Sequence, residues 1–87
     1  MDVPGELLRT AGVALDMKQS ELARMSGVAQ RTILRAERCD LTVSLESRRR
    51  LQEAFRTAGV AFVPDDGTSG PGLRVRRDLL VQENLRF

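Results

Sequence analysis

Apolar residues recur at helical spacing through the first two thirds of the chain, and the period changes near residue 60. A first helix is predicted from about Pro4 to about Leu15, with Leu7, Leu8, Ala11 and Leu15 on one side and Glu6 near its N-terminal dipole. Asp16 and Met17 break that pattern. A second helix is predicted over about Gln19 to Met25, its inward face formed by Leu22 and Ala23 with Met25 as a third candidate. Ser26-Gly27 ends it, since Gly27 can take the positive φ of a tight turn. A third helix follows over about Gln30 to Arg38. Val28 and Ile33 are its expected buried anchors and Ala36 a smaller contact, which leaves Gln30, Arg31, Leu34, Arg35 and Arg38 pointing outward. After a loop over Asp40–Val43, Ser44 has the character of an N-cap for a fourth helix running to about Ala58. Leu45, Leu51, Ala54, Phe55 and Ala58 form its stripe, and Gly59 is its stop.

Beyond Gly59, Val60–Val63 is a short apolar run, residues 64–72 are dense in Pro, Gly, Asp and Ser, and Leu73–Arg77 alternates apolar and basic. Two strand-like runs around a turn cluster predict a β-hairpin, with Leu73 and Val75 toward the core and Arg74 and Arg76 outward. Residues 78–87 are open between a short helix capped by Asp78 and a frayed end. The expected class is mainly α, four to five helices with a C-terminal hairpin. Residues 1–59 form the helical part, 60–77 the hairpin and 78–87 a tail.

Composition narrows what such a domain can do. With 87 residues and 9.7 kDa there is room for one small domain, whose core is aliphatic because aromatic residues make up only 3% and Trp and Tyr are absent. A core of this size is a marginal source of stability, so burial in a dimer is a natural supplement. The formal charge is only +2, yet thirteen of the fourteen cations are Arg. Residues 24–50 hold seven of these (Arg24, Arg31, Arg35, Arg38, Arg48, Arg49, Arg50) against Glu37, Asp40 and Glu46, a local excess of 7 − 3 = +4. An arginine-rich face suits a polyanion; it is equally compatible with a solvated surface. A lone cysteine, Cys39, permits no internal disulfide, and the absence of His removes the common zinc sites and His-based acid–base chemistry. No segment has the length of a membrane span and no signal peptide is apparent, so a cytoplasmic protein with no cofactor and no membrane partner is expected. No carboxylates gather with a nucleophile or a glycine-rich phosphate loop, so no enzyme is expected; Asp65-Asp66-Gly67 fits a turn better than a metal loop.

Residues 18–38, KQSELARMSGVAQRTILRAER, combine two short helices across a glycine-containing turn, an arrangement that presents its second helix to the major groove of DNA. Gln19, Glu21-Leu22-Ala23, Gly27-Val28, Thr32-Ile33, Arg35 and Glu37-Arg38 stand at the spacing of Q-x-E-L-A-x-x-x-G-V-x-x-x-T-I-x-R-x-E-R. In these positions the chain resembles the lambda-repressor/Cro-like helix-turn-helix regulators, often called XRE-like, over about residues 5–58. It departs from that pattern at Cys39, where the family usually has Gly, at Ala36, where a larger aliphatic is common, and at Leu34, where a small polar residue is common. The tail after Gly59 is also similar to one found in small bacterial members.

The resemblance implies a sequence-specific DNA-binding transcriptional regulator of lambda-repressor-like fold whose third helix reads double-stranded DNA. Gln30, Arg31 and Arg35 would read bases, since Gln pairs bidentately with adenine and Arg with guanine. Lys18, Gln19, Thr32 and Arg38 are candidates for the DNA backbone, although Arg38 is equally placed to pair with a carboxylate such as Asp40. Glu37 is expected to hold an Arg or a backbone amide within the domain. Arg48, Arg49 and Arg50 spread over about 200° of the fourth helix and cannot all face one way. A homodimer on a palindromic operator is expected, with Val60, Phe62, Leu73 and Val75 hidden by pairing of edge strands. The alternative is a helix-turn-helix protein-interaction module, an antiactivator or antitoxin, that binds a protein partner; Leu34 leaves room for such a contact.

Overall fold

A computed structural model describes residues 2–80. Four helices, α1 (Gly5–Ala14), α2 (Gln19–Ser26), α3 (Gln30–Glu37) and α4 (Leu45–Ala58), are followed by strands β1 (Val60–Val63) and β2 (Gly72–Val75) and a 3₁₀ turn over Arg77–Leu79. The chain is mostly helical, with a two-stranded antiparallel hairpin near its C-terminal end. None of the helices among the described residues is long and apolar enough to cross a membrane.

The helices pack around one aliphatic centre. Leu8 and Ala11 of α1, Leu22 of α2, Val28, Ile33 and Ala36 of the α3 region, and Leu51, Ala54 and Phe55 of α4 are all buried there. Two further core residues lie outside the helical stripes: Val3 before α1 and Val43 in the loop before α4. Three expected core residues, Met25, Leu45 and the half-buried Ala58, do not take part. Met25 is 44% exposed because two-turn α2 leaves it on the rim of an open cleft toward Arg50 and Ala54 of α4. Leu45, also 44% exposed, sits in the first turn of α4, where the neighbouring Val43 takes the inward position.

Local chemistry sets the boundaries. Ser44 caps α4, its hydroxyl accepting the Ser47 N–H at 3.1 Å. Gly27 ends α2 in the left-handed region, φ 74°, and with Val28 and Ala29 makes a three-residue turn into α3. The Val28 amide donates to the Ser26 hydroxyl, which steadies that turn. Gly5 answers to a different demand. The start of α1 passes so close to the end of α3 that a Cβ there would lie 2.1 Å from the Ala36 carbonyl oxygen. Cys39 continues α3 into the loop with φ 62°, a conformation that favours glycine, and its thiol donates to the Glu6 carboxylate on α1. That hydrogen bond holds the Glu6 carboxyl below its ordinary range and pushes the Cys39 thiol up.

The hairpin pairs Val60 with Val75 and Phe62 with Leu73 on one face, Ala61 with Arg74 and Val63 with Gly72 on the other. The first face lies on the helices. Val60 is 2% exposed, Phe62 meets Phe55 edge to face at 6.3 Å between ring centres, and Leu73 and Val75 are half-buried against the same core. Val60 is thus covered by the protomer's own helices, and Phe62, Leu73 and Val75, expected at a dimer seam, are covered by them in part. A strand buries whichever face its register turns inward, and here α4 and α1 meet that face first. The connecting loop is stapled by its acids. Asp65 accepts the Gly67 amide, while Asp66 accepts those of Thr68 and Ser69, which lowers the Asp66 carboxyl. Asp78 falls inside the 3₁₀ turn, pairing with Arg76, instead of capping a helix over 78–87; residues 81–87 of that expected tail lie outside the described residues.

Candidate nucleic-acid interface

Helix α3 separates its two faces cleanly. Ile33 and Ala36 are buried, whereas Arg31, Leu34, Arg35 and Arg38, at i, i+3, i+4 and i+7, form one exposed stripe with Gln30 beside its N-terminal tip. From Gln30 to Arg38 this stripe rises about 12 Å, the width of a major groove. Leu34, 38% exposed, stands on the same stripe between Arg31 and Arg38. Thr32 is half-buried and flanks the stripe on the core side.

Charge on that stripe is unequally committed. Arg31 and Arg38 make no ion pair among the described residues. Arg35 is engaged by the loop that follows: its Nε donates to Asp40 Oδ2 at 3.0 Å and its Nη2 to the Thr42 hydroxyl. Asp40 therefore partners Arg35, not Arg38. The same carboxylate accepts the Thr42 N–H and hydroxyl at 2.9 and 2.7 Å, and these bonds with that from Arg35 lower its carboxyl to about 2.

The start of α2 adjoins the stripe. Gln19 Nε2 donates to Glu37 Oε1 at 2.8 Å, bridging the first residue of α2 to the last of α3. Glu37 thus holds a side-chain amide, where an Arg or backbone amide was expected, and the bond braces α3 against α2. Lys18, in the N-cap position of α2, is exposed and offers no side-chain cap, so the first amides of α2 keep no side-chain acceptor. Ala29 leaves α3 uncapped as well. Uncapped helix starts beside cations suit an anion, because their free N–H groups carry the positive end of the helix dipole.

One cation of this region escapes the linear reading. Arg9 of α1 lines a cleft of about 260 Å³ together with Gln19, Leu34, Glu37 and Arg38, and a neighbouring cleft of about 330 Å³ with Lys18 and Gln19. Its position opposite the buried Leu8 and Ala11 is legible from spacing, but only the packing of α1 against α3 brings it to clefts shared with Lys18 and Arg38. Among the described residues Glu37 is the one carboxylate lining the smaller cleft, and its Oε1 already accepts from Gln19.

Of the eight other arginines among the described residues, four are paired with an acid. Arg48 pairs with Asp2 at 2.8 Å, Arg50 with Glu46 at 3.0 Å, Arg56 with Glu53 at 2.5 Å and Arg76 with Asp78 at 2.7 Å. Among the described residues no group of three or more His, Cys, Asp or Glu side chains could hold a metal ion. Searched against protein-family models and against curated proteins, the chain matches none.

Proposed function

We propose that this chain is a sequence-specific DNA-binding transcriptional regulator of lambda-repressor/Cro-like fold, with α3 as its recognition helix. The observation that carries the reading is the exposed stripe of α3, where Arg31 and Arg38 have no carboxylate partner among the described residues, on a helix packed by its opposite face. Gln30 and Arg31 at the tip read base edges, and Leu34 offers an apolar surface to a thymine methyl group. Lys18, Arg9 and Arg38, with the open amides of α2, take phosphates and set the register of the helix in the groove. Gln19 braces α3 through Glu37 and keeps its amide oxygen free. Thr32, half-buried, is the weakest candidate of the set.

A single unit of this size buries little surface, so the reading includes a homodimer on a palindromic site, with half-sites about 34 Å apart. With the apolar face of the hairpin committed to the protomer's own core, pairing would use the free backbone edges of β1 and β2. Selection of bound fragments from random duplex DNA tests the whole proposal. A palindrome with half-sites one helical turn apart is the expected result; no enrichment over unselected DNA sinks it. Sedimentation at concentrations that saturate the selected site checks the dimer.

Leu34 at 38% and Leu41 at 92% exposure support a second reading, a helix-turn-helix module whose α3 side docks on a protein. Under that reading the fragment selection returns nothing, and Leu34→Ser abolishes capture of the partner.

A further inference from the structure

The loop after α3 is built around one side chain of the stripe, and this has a consequence for base reading. A guanidinium has five N–H donors, arranged along a side edge (Nε with Nη2) and an end edge (Nη1 with Nη2). In Arg35 the side edge is taken: Nε–H by Asp40 and one Nη2–H by Thr42. Asp40 is itself held, because it accepts both the amide and the hydroxyl of Thr42 while its own N–H donates to the Arg35 carbonyl at 3.0 Å. The group is thus oriented by contacts made before any ligand arrives. Both side chains keep solvent access, 44% for Arg35 and 34% for Asp40, so the end edge is not walled in. Two parallel donors on that edge match the O6 and N7 acceptors of guanine.

We propose that Asp40 and Thr42 are positioning residues that lock Arg35 with its end edge presented to a guanine and its side edge withheld from phosphate. This rests on the DNA-binding reading above. An arginine on a long flexible stem loses rotamer freedom when it docks, and pre-docking it on a fixed carboxylate moves that cost into folding. The lock also narrows what Arg35 can do: with the side edge filled, sideways contact with a phosphate requires breaking two hydrogen bonds.

The test uses the full chain and the tightest duplex from the fragment selection, with each guanine replaced in turn by 7-deazaguanine, which lacks N7 and keeps the pairing face. Unsubstituted protein is expected to lose about tenfold in affinity at one guanine per half-site. Arg35→Ala should lose affinity for the parent duplex and stop sensing that substitution. Asp40→Asn and Thr42→Val should each weaken binding to the parent duplex several-fold, shrink the 7-deazaguanine effect at the same guanine, and leave random-sequence duplex bound as well as before. Thermal unfolding of each variant confirms that the fold survives; two variants on different residues guard against the loss of either. If Asp40→Asn tightens selected and random duplex alike and keeps full sensitivity to 7-deazaguanine, the carboxylate merely competes with DNA and the proposal is overturned. Equal loss on both duplexes overturns it too. Failure of the DNA reading has a separate signature, since unsubstituted protein would then yield no selected duplex.

Discussion

Helices α3 and α4 are both rich in arginine, yet they treat their charge in opposite ways. On α4 three of four arginines are matched with an acid: Arg48 with Asp2, Arg50 with Glu46 and Arg56 with Glu53. Two of those pairs are local to the helix, at i, i+4 and i, i+3, the spacing at which side chains meet. On the α3 stripe the only arginine matched among the described residues is Arg35, whose partner comes from the loop. α4 begins with a Ser44 cap, whereas α2 and α3 start uncapped. The same residue type therefore serves surface solvation on one helix and remains available for an anion on the other. Counting arginines cannot separate these roles; counting their neutralising partners can.

The largest effect expected from this contrast is on DNA. Under the proposed DNA-binding reading, Arg31→Ala should cost about 1–3 kcal/mol on the selected duplex, a loss of roughly 5- to 150-fold, and much less on random DNA. Arg56→Ala should shift both by less than about twofold, since an exposed, paired arginine contributes little. Fluorescence anisotropy on the two duplexes measures the difference, and equal losses for the two variants would break the comparison.

A second test probes the seat of α3. Gly5→Ala drives a methyl group into the Ala36 carbonyl, and overpacking of that kind costs about 1–3 kcal/mol. Urea unfolding should show the midpoint falling at unchanged slope. A stability equal to that of the unsubstituted chain would mean that α1 and α3 are not seated as closely as described.

At the far end of α3, Cys39→Gly should raise stability by about 0.5–1 kcal/mol, because it relieves a non-glycine residue at φ 62° and gives up only an exposed thiol–carboxylate contact. The smallest effect is electrostatic. Asp40 titrates in the folded chain at about 2, below its ordinary 3.8, so its bonds to Thr42 and Arg35 stabilise the fold above pH 3.8 and are lost as pH falls toward 2. Carboxyl carbon NMR shifts followed through acid should place its midpoint near 2 and move it up in Thr42→Val. A midpoint near 3.8 in the unsubstituted chain would dissolve the lock on Arg35.

The four helices, the three-residue turn at Gly27, the Ser44 cap and the hairpin were all legible in the sequence, because each depends on periodicity or on a residue with one favoured backbone conformation. The outward stripe of α3 was legible for the same reason: a helix that buries Ile33 and Ala36 must expose Arg31, Leu34 and Arg35. Tertiary structure decided the rest. Which acid meets which arginine depends on where separate elements come to lie, so Asp40 reached Arg35 instead of Arg38, and Glu37 took Gln19 across 18 residues. Arg9 joined Lys18 and Arg38 only because α1 packs against α3. The apolar face of the hairpin was predictable, but not that its Phe62 would meet Phe55 of α4. Local pattern determines what each segment is and which side it buries, while partnership is a property of the assembled packing, where distance in space replaces distance along the chain.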